Sequence, residues 1–235
     1  MGKTSRSNGR TPRPLRRLLN LLRRFSSLSV ILGELPVEPA ARTVFPVVIE
    51  PNDVIIEVGA RMGDGTRVLA NLGRQVYAFE PSRESFLLLK AFTNKIGNVE
   101  AYNVAVGSHR GTAMLQKDRS FSGVASLQEI ADVHYSKSQP VRMVTLDGIK
   151  YEQPPTSLVV DCEGYELEVL RGAERLLPTL TKVLVETHIM ADGTTTTERV
   201  ISHLGRFFSK LEINQAGNER WVIARKPRNV VSSPS

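Results

Sequence analysis

The chain has 235 residues, of which 41% are hydrophobic and 23% are charged, and these values are typical of a globular protein with one sizeable core. Its single cysteine, Cys162, excludes an intramolecular disulfide and a zinc site built from several cysteines. No run of about 20 apolar residues is present, so we expect no transmembrane helix.

The formal net charge of +7 is concentrated near the amino terminus. Residues 1–33 hold eight of the 31 Lys and Arg residues and no acid, which leaves 23 basic against 24 acidic residues in the remainder. A body without net positive charge argues against broad nucleic-acid binding, so we expect no nucleic-acid partner. We therefore divide the chain into a basic tail (1–33), a body (34–226) and a C-terminal tail (227–235).

Residues 13–26 of the basic tail predict an amphipathic helix. Apolar side chains recur at helical spacing from Leu15 to Phe25, and the arginines lie largely off that stripe. Three roles fit this pattern: packing on the body or in a homo-oligomer, peripheral contact with an anionic membrane surface, and an organelle-targeting leader. We expect a cytoplasmic protein, with the peripheral membrane position and organelle targeting as alternatives.

The body opens with the pattern of a nucleotide-binding protein. Residues 53–58 predict a buried strand that runs through a glycine-rich turn into a helix over 64–72. Residues 75–80 predict the next strand, which ends on Glu80 and Pro81. Glycines let backbone N–H groups approach a ligand closely, and an acid at the next strand tip can accept both hydroxyls of a ribose. The pairing therefore predicts a site for a nucleoside-containing cofactor.

The spacing within the turn favours S-adenosylmethionine over NAD. The dinucleotide fingerprint Gly-x-Gly-x-x-Gly crowds glycines against a pyrophosphate, whereas here Glu57 stands two residues before Gly59. A carboxylate there would repel a pyrophosphate but suits the cationic amine and sulfonium of S-adenosylmethionine. A purely structural turn in another α/β protein is the alternative. The predicted cofactor site consists of Glu57, Gly59, Ala60, Gly63, Glu80 and Pro81.

The rest of the body alternates strands and helices around one insertion. Further strands are predicted at 99–104, 157–161, 182–186, 210–214 and 219–225, and helices at 83–96, after 161 to about 177, and at 197–208. Residues 107–151 predict an inserted hairpin and loop, and residues 215–218 predict a hairpin turn. The alternation predicts an α/β fold with a doubly wound, mostly parallel sheet and an antiparallel edge.

Acidic residues and one histidine follow the predicted fourth and fifth strands of the sheet. Asp161 ends the fourth strand and Glu163 lies two residues beyond it, while Glu186 and His188 end the fifth. Because the carboxyl ends of parallel strands meet at the ligand-binding edge, these side chains could converge beside the cofactor. For Glu166 we expect a capping role at a helix N-terminus.

Six motifs in order resemble a known protein family. They are residues 57–66, 78–81, 103–107, 145–147, 160–166 and 185–188. The set resembles the FkbM family of S-adenosylmethionine-dependent methyltransferases over residues 53 to about 190. The resemblance implies a class I methyltransferase (Rossmann-like) fold of seven strands in the order 3-2-1-4-5-7-6. It also adds Asn103 and Asp161 to the cofactor site and implies methyl transfer to a hydroxyl of a sugar, polyketide or similar small molecule.

Three positions depart from the pattern of that family. Glu57 stands where such folds commonly have Asp, Arg61 where the family often has Asn, and Cys162 where it usually has an aliphatic residue. These departures leave the class unchanged but make the substrate harder to predict. We expect Cys162 to serve packing.

The chemistry requires few protein groups, because the sulfonium of S-adenosylmethionine already activates the methyl group. An alcohol acceptor must also lose a proton, and the candidate catalytic residues are Asp161, Glu163 and His188. A structural role at a strand end is the alternative for His188. Asp161, Glu163 and His188 could instead hold a divalent cation that acidifies sugar hydroxyls, so metal binding stays open.

We therefore expect O-methylation of a sugar, glycan or other small molecule. The alternatives are a methyltransferase of RNA or another macromolecule that the basic tail recruits, and a non-catalytic, membrane-recruited scaffold. In the insertion, residues 120–126, His134 and Tyr135 are expected to shape the acceptor pocket. Residues 145–147 are expected to anchor a turn that leads toward the fourth strand.

Overall fold

The computed structural model describes residues 39–118, 125–127 and 135–226. The chain divides into two units, Met1–Pro36 and Val37–Ser235, and every described residue belongs to the second. The expected tail helix over 13–26, the C-terminal tail and part of the insertion lie outside the described residues, so those expectations stay predictions.

The described residues form eleven strands. In chain order they are β1 (Val54–Val58), β2 (Gln75–Phe79), β3 (Val99–Tyr102), β4 (Ala105–Val106), β5 (Gly111–Asp118), β6 (Ala125–Ser126), β7 (Tyr135–Val144), β8 (Ser157–Val160), β9 (Lys182–Thr187), β10 (Lys210–Ala216) and β11 (Glu219–Arg225). Seven of them form the main sheet in the order β10-β11-β9-β8-β1-β2-β3.

This order is the expected 3-2-1-4-5-7-6, and the fold-class prediction is confirmed. Strands β3, β2, β1, β8 and β9 pair in parallel, whereas β11 runs antiparallel to both β9 and β10. All seven strands lie within two residues of their predicted bounds. The apolar runs of β1, β2, β8 and β9 predicted these four strands well, because parallel strands covered on both faces are almost entirely buried.

Strand β1 shows how the sheet is buried on both faces. All five of its residues are buried. Ile55 belongs to the core on one face, where it packs with Leu69 and Trp221, and Ile56 belongs to the core on the other face, with Leu158 and Val169. With both faces covered, ligands reach the parallel strands only at their ends, and the carboxyl end is where open α/β sheets bind them.

Six α-helices lie within the described residues: α1 (Pro39–Thr43), α2 (Phe45–Val48), α3 (Asp64–Leu72), α4 (Arg83–Thr93), α5 (Glu166–Arg171) and α6 (Thr197–Leu204). Helix α3 has its predicted bounds, whereas α4 and α6 end three and four residues early. In the described part of the chain, no helix combines the length and apolarity that a membrane crossing requires.

The helix predicted to reach about residue 177 is wrong in its extent, because α5 ends at Arg171. A Cβ on Gly172 would lie 2.0 Å from the Gly107 carbonyl oxygen, so the chain passes the insertion closely here. Beyond it, the Asp147 carboxylate accepts hydrogen bonds from the N–H groups of Arg175 (3.0 Å) and Leu176 (2.9 Å). These contacts give the segment 145–147 the anchoring role expected of it.

The insertion forms a second, smaller sheet in the order β4-β7-β5-β6. Strands β5 and β7 are an antiparallel pair, in agreement with the predicted hairpin. Leu115, Val141 and Met143 form its own small core together with Ala105. The insertion therefore lies beside the carboxyl edge of the main sheet as a separately packed layer.

Candidate functional site

The glycine-rich turn after β1 is held against the neighbouring strands β2 and β8. The N–H groups of Gly59 and Ala60 both donate to the Phe79 carbonyl oxygen, at 3.0 and 3.1 Å. Gly59 has a φ of +92°, and a Cβ there would lie 1.6 Å from the Asp161 carbonyl oxygen. Only glycine fits this position, because the backbone is left-handed and another backbone occupies the side-chain space.

Glu80 follows β2, and its carboxylate is oriented by main-chain donors. Its Oε2 accepts the Arg61 N–H at 2.9 Å, and its Oε1 accepts the Ser82 N–H at 2.7 Å. The Asn103 side-chain amide donates to the carbonyl oxygens of Glu80 (2.8 Å) and Pro81 (3.1 Å). Asn103 therefore supports the main chain that carries Glu80.

A cleft at the carboxyl edge joins Glu80 to the end of β8. It encloses about 680 Å³, including the part open to solvent. Glu80 and Pro81 line it together with Asp161 and Glu163, and Leu127 of the insertion lines it as well. The cleft therefore brings the end of β2, the end of β8 and the insertion to one space.

A smaller hollow of about 330 Å³ lies on the other side of the glycine-rich turn. Glu57, Ala60 and Trp221 line it, while Gly59 and Asp161 border both spaces. The structure therefore separates the expected cofactor residues into two adjoining groups. Gly63, whose φ is +93°, contributes packing instead, because a Cβ there would lie 2.8 Å from the Leu89 side chain.

Glu57 is buried beneath the first turn of α3. Its Oε2 accepts a hydrogen bond from the Thr66 hydroxyl at 2.6 Å. A Cβ on Gly65 would lie 2.9 Å from its Oε1, so the helix backbone approaches the carboxylate closely. These contacts fix a negative charge beside the turn.

The candidate catalytic residues converge around the imidazole of His188, as the strand ends predicted. Its Nε2 lies 3.5 Å from Glu163 Oε2, 3.7 Å from Asp161 Oδ1 and 3.9 Å from Glu186 Oε1. Its Nδ1 lies 2.8 Å from Glu166 Oε1. Because β8 and β9 are parallel neighbours, residues that follow the two strands meet at one edge. We call these five residues the His188 cluster.

Glu166 has two contacts that explain its complete burial. Its Oε1 accepts the Gly164 N–H at 2.7 Å, a donor that precedes the helix, so the expected capping of the helix N–H groups is not observed. The same oxygen is the partner of His188 Nδ1. Sequence reasoning missed this second contact, because the motif itself shows only an acid at a helix start. The consecutive left-handed residues Glu163 (φ +54°) and Gly164 (φ +93°) shape the turn between them.

The surroundings of the cluster control its protonation. Burial disfavours a charged His188, but the hydrogen bond and charge of Glu166, with the charges of Glu163 and Glu186, outweigh it and raise the pKa to about 9. The ligand-free protein therefore carries an imidazolium here at neutral pH. Burial, with the neighbouring acids, also raises the pKa of Cys162 well above its usual value, so this thiol is no thiolate nucleophile.

The insertion contacts the His188 cluster through Ser126. The sequence singled out this serine only as one residue of the stretch 120–126. The buried Ser126 hydroxyl donates to the Glu163 carbonyl oxygen at 2.5 Å, and Leu127 beside it lines the cleft. Residues 120–124 and His134 lie outside the described part of the chain, and Tyr135 is described only as backbone.

Within the described residues, one group has the composition of a metal site. Asp161, Glu186 and His188 each offer one ligand atom, and these atoms all lie within 4.8 Å of one another. The sequence predicted Glu163 as the third ligand beside Asp161 and His188. In the structure Glu186 belongs to this set in its place, and Glu163 lies close by.

The sheet order and the cleft at its carboxyl edge define a class I methyltransferase fold. The family model described as "Methyltransferase FkbM domain" matches residues 57–214, and the chain belongs to this family of methyltransferases. The family implies S-adenosylmethionine as the methyl donor. The chain is also 28% identical over 181 residues to the hexuronic acid methyltransferase AglP of Haloferax volcanii, covering 75% of this chain and 72% of that protein.

Solved structures show the same fold. The methyltransferase FkbM of Methylobacillus flagellatus KT superposes with a TM-score of 0.55 at 14% identity over 81% of this chain, which spans 48% of that one. SMU.1697c of Streptococcus mutans, solved in complex with SAH, has a TM-score of 0.52 at 13% identity and covers 82% of this chain and 100% of its own. At these identities the likeness concerns the fold alone.

Proposed function

We propose that the protein transfers a methyl group from S-adenosylmethionine to a hydroxyl of a sugar, in a glycan or as a small molecule. One observation carries the proposal: Glu80, suited to a ribose, and Asp161 and Glu163, suited to an acceptor hydroxyl, line one cleft. The methyltransferase AglP, named for a hexuronic acid, supports a sugar acceptor.

The residues at the turn suit S-adenosylmethionine. Gly59 borders both the cleft and the hollow, and its lack of a side chain lets the turn approach the Asp161 backbone. Glu80 has its carboxylate oriented by two N–H groups and would bind the ribose hydroxyls. Glu57 places a negative charge in the adjoining hollow, where it would attract the cationic amine. When bound, S-adenosylmethionine supplies a methyl group activated by its sulfonium.

The His188 cluster would manage the acceptor. A hydroxyl loses its proton as its oxygen is methylated, and a carboxylate within hydrogen-bond reach can take that proton. Asp161 and Glu163 both border the cleft. These carboxylates are therefore the proposed proton acceptors, and the His188 ring lies beside them, 3.7 Å from Asp161 and 3.5 Å from Glu163.

The test uses the purified full chain with S-adenosylmethionine carrying a labelled methyl group. Acceptors are hexuronic acids, neutral sugars and glycans that contain them, with RNA and casein as comparison substrates. We expect label on sugar, and mass and NMR spectra that locate it on an oxygen. Labelling of RNA or casein without labelling of any sugar would overturn the proposal and favour a macromolecular acceptor.

A further inference from the structure

The Nε2 atom of His188 faces three carboxylates without reaching any of them. Its distances to Glu163, Asp161 and Glu186 are 3.5, 3.7 and 3.9 Å. A charge-assisted hydrogen bond from nitrogen to a carboxylate is about 2.7–2.9 Å long. On its other side, the ring meets Glu166 at 2.8 Å, a normal hydrogen bond. The distances longer than a hydrogen bond are therefore confined to the Nε2 side of the ring, which faces the strand ends.

Spacing of this size matches two ligands of one metal ion. Metal bonds to imidazole nitrogen and carboxylate oxygen are about 2.0–2.2 Å long, so two ligands of one ion lie from roughly 3 Å apart at a right angle to roughly 4 Å apart when they are opposite each other. The distances from Nε2 to Asp161 and Glu186 fall between these limits, and the three ligand atoms lie within 4.8 Å of one another. Small movements of the side chains would bring all three atoms to bonding distance of one ion.

Glu166 provides a separate observation about the ring. A histidine that binds a metal almost always donates its other N–H to a carboxylate or carbonyl, which fixes the ring and its tautomer. Glu166 is fully buried and lies outside the ligand set, yet its Oε1 meets Nδ1 at 2.8 Å. The Gly164 N–H holds the same oxygen from another direction. When Nε2 gives up its proton to bind a cation, the proton that remains on Nδ1 leaves the Nε2 lone pair directed toward Asp161 and Glu186.

We propose that Asp161, Glu186 and His188 bind a divalent cation of the Mn²⁺ type, and that Glu166 is a positioning residue for the histidine ligand. Two carboxylates and one imidazole suit a cation that accepts both oxygen and nitrogen ligands. The three ligands follow two adjacent strands on one side of the ion. Coordination positions are therefore left for oxygens of an acceptor in the cleft.

This proposal rests on the proposed function and adds a role for each group. The cation acidifies a hydroxyl whose oxygen it binds. The proton passes to the Glu163 carboxylate, which borders the cleft, and the oxygen takes the methyl group as the bond from sulfur to methyl breaks. A sugar with adjacent oxygens supplies two ligands, so the site favours acceptors with vicinal hydroxyls or a carboxylate beside a hydroxyl.

The direct test is Mn²⁺ binding to the full chain after dialysis against EDTA, measured by EPR and by calorimetry. We expect one ion per chain in the wild type and none at the same concentrations in His188→Ala. Glu166→Gln should bind about tenfold to 100-fold more weakly, the usual cost of losing such a partner. The matched control is His109→Ala, which removes an exposed histidine outside the cluster and should bind as the wild type does.

A second measurement separates this proposal from the proposed function. Methyl transfer should fall after EDTA treatment and return with Mn²⁺, while calorimetric affinity for S-adenosylmethionine stays within twofold. Absence of Mn²⁺ binding, or equal binding by the wild type and His188→Ala, would overturn the cation site. If the EDTA-treated enzyme still methylates sugars, the proposed function stands and the proposal that a cation takes part in the transfer is wrong. If one Mn²⁺ binds and no sugar is methylated, the proposed function is wrong and the site stands.

Discussion

The two ends of the parallel strands each carry a group of charged side chains, and the two groups differ in composition, burial and access. At the amino end, Asp53 lies 2.8 Å from the Lys182 ammonium and accepts hydrogen bonds from the Thr156 hydroxyl (2.8 Å) and the Glu50 N–H (2.7 Å). At the carboxyl end, the single imidazole of His188 faces four carboxylates.

Burial of charge therefore does not by itself mark a functional site. The amino-end group matches an acid with a base in close contact, and the side chains of Asp53 and Lys182 are only 6% and 9% exposed. The carboxyl-end group borders a cleft and holds its closest carboxylates on Nε2 beyond hydrogen-bond distance. Opposite charges in contact indicate a structural role, whereas surplus acids beside a cleft indicate a ligand.

The largest effect should come from breaking the amino-end pair. Asp53→Asn leaves the buried Lys182 charge with the more exposed Glu50 as its acidic partner, so we expect the free energy of unfolding to fall by about 3 kcal/mol. Urea denaturation measures the loss. Affinity for S-adenosylmethionine and methyl transfer per folded molecule should stay unchanged. A variant with normal stability but no activity would contradict a structural role for the amino-end group.

The converse substitution at the carboxyl end is Asp161→Asn, which keeps the shape and removes the charge. We expect methyl transfer to fall by about 100-fold, the scale of a lost acid–base or ligand group, while stability stays within about 1 kcal/mol of the wild type. Initial rates with saturating S-adenosylmethionine give the activity. His188→Ala should lower transfer to a similar degree, and full activity in both variants would remove the cluster from catalysis.

Glu80→Ala tests cofactor binding at one end of the cleft separately from catalysis at the other end. We expect affinity for S-adenosylmethionine to fall at least tenfold, about 1.4 kcal/mol, because two ribose hydroxyls would lose a charged acceptor. Calorimetry gives the dissociation constant, and His109→Ala, which changes an exposed residue outside the site, serves as the comparison whose affinity should not change. An unaltered constant in a folded Glu80→Ala protein would place the cofactor elsewhere.

The smallest effect concerns pH. Burial of Asp53 opposes its charge, but hydrogen bonds from Lys182, the Glu50 N–H and Thr156 outweigh it and hold the pKa below its usual value. A lowered folded pKa stabilises the protein at pH values above the unfolded pKa of about 4, and this contribution is lost as the pH falls through the folded pKa. The stability gap between wild type and Asp53→Asn should therefore stay constant from pH 7 to 5 and shrink at pH 3.

Local patterns predicted the elements whose signal lies within a few residues. Four apolar residues around Glu57 predicted β1, and the family resemblance carried by the six motifs implied the sheet order. The pair of Asp53 and Lys182 could not be predicted, because its partners lie 129 residues apart and meet only through the register of β8 and β9. For the same reason, Glu166 was expected as a helix cap but its contact with His188 was missed.

The hydrogen bond that joins the insertion to the carboxyl edge uses the Glu163 carbonyl oxygen and not its side chain. This contact therefore does not use the carboxylate at position 163, since the carbonyl oxygen belongs to the main chain. Selection could exchange that side chain, or redesign the outer hairpin around Ser126, without undoing the docking. The side chain at position 163 and the hairpin around Ser126 can therefore change independently of each other within the same fold.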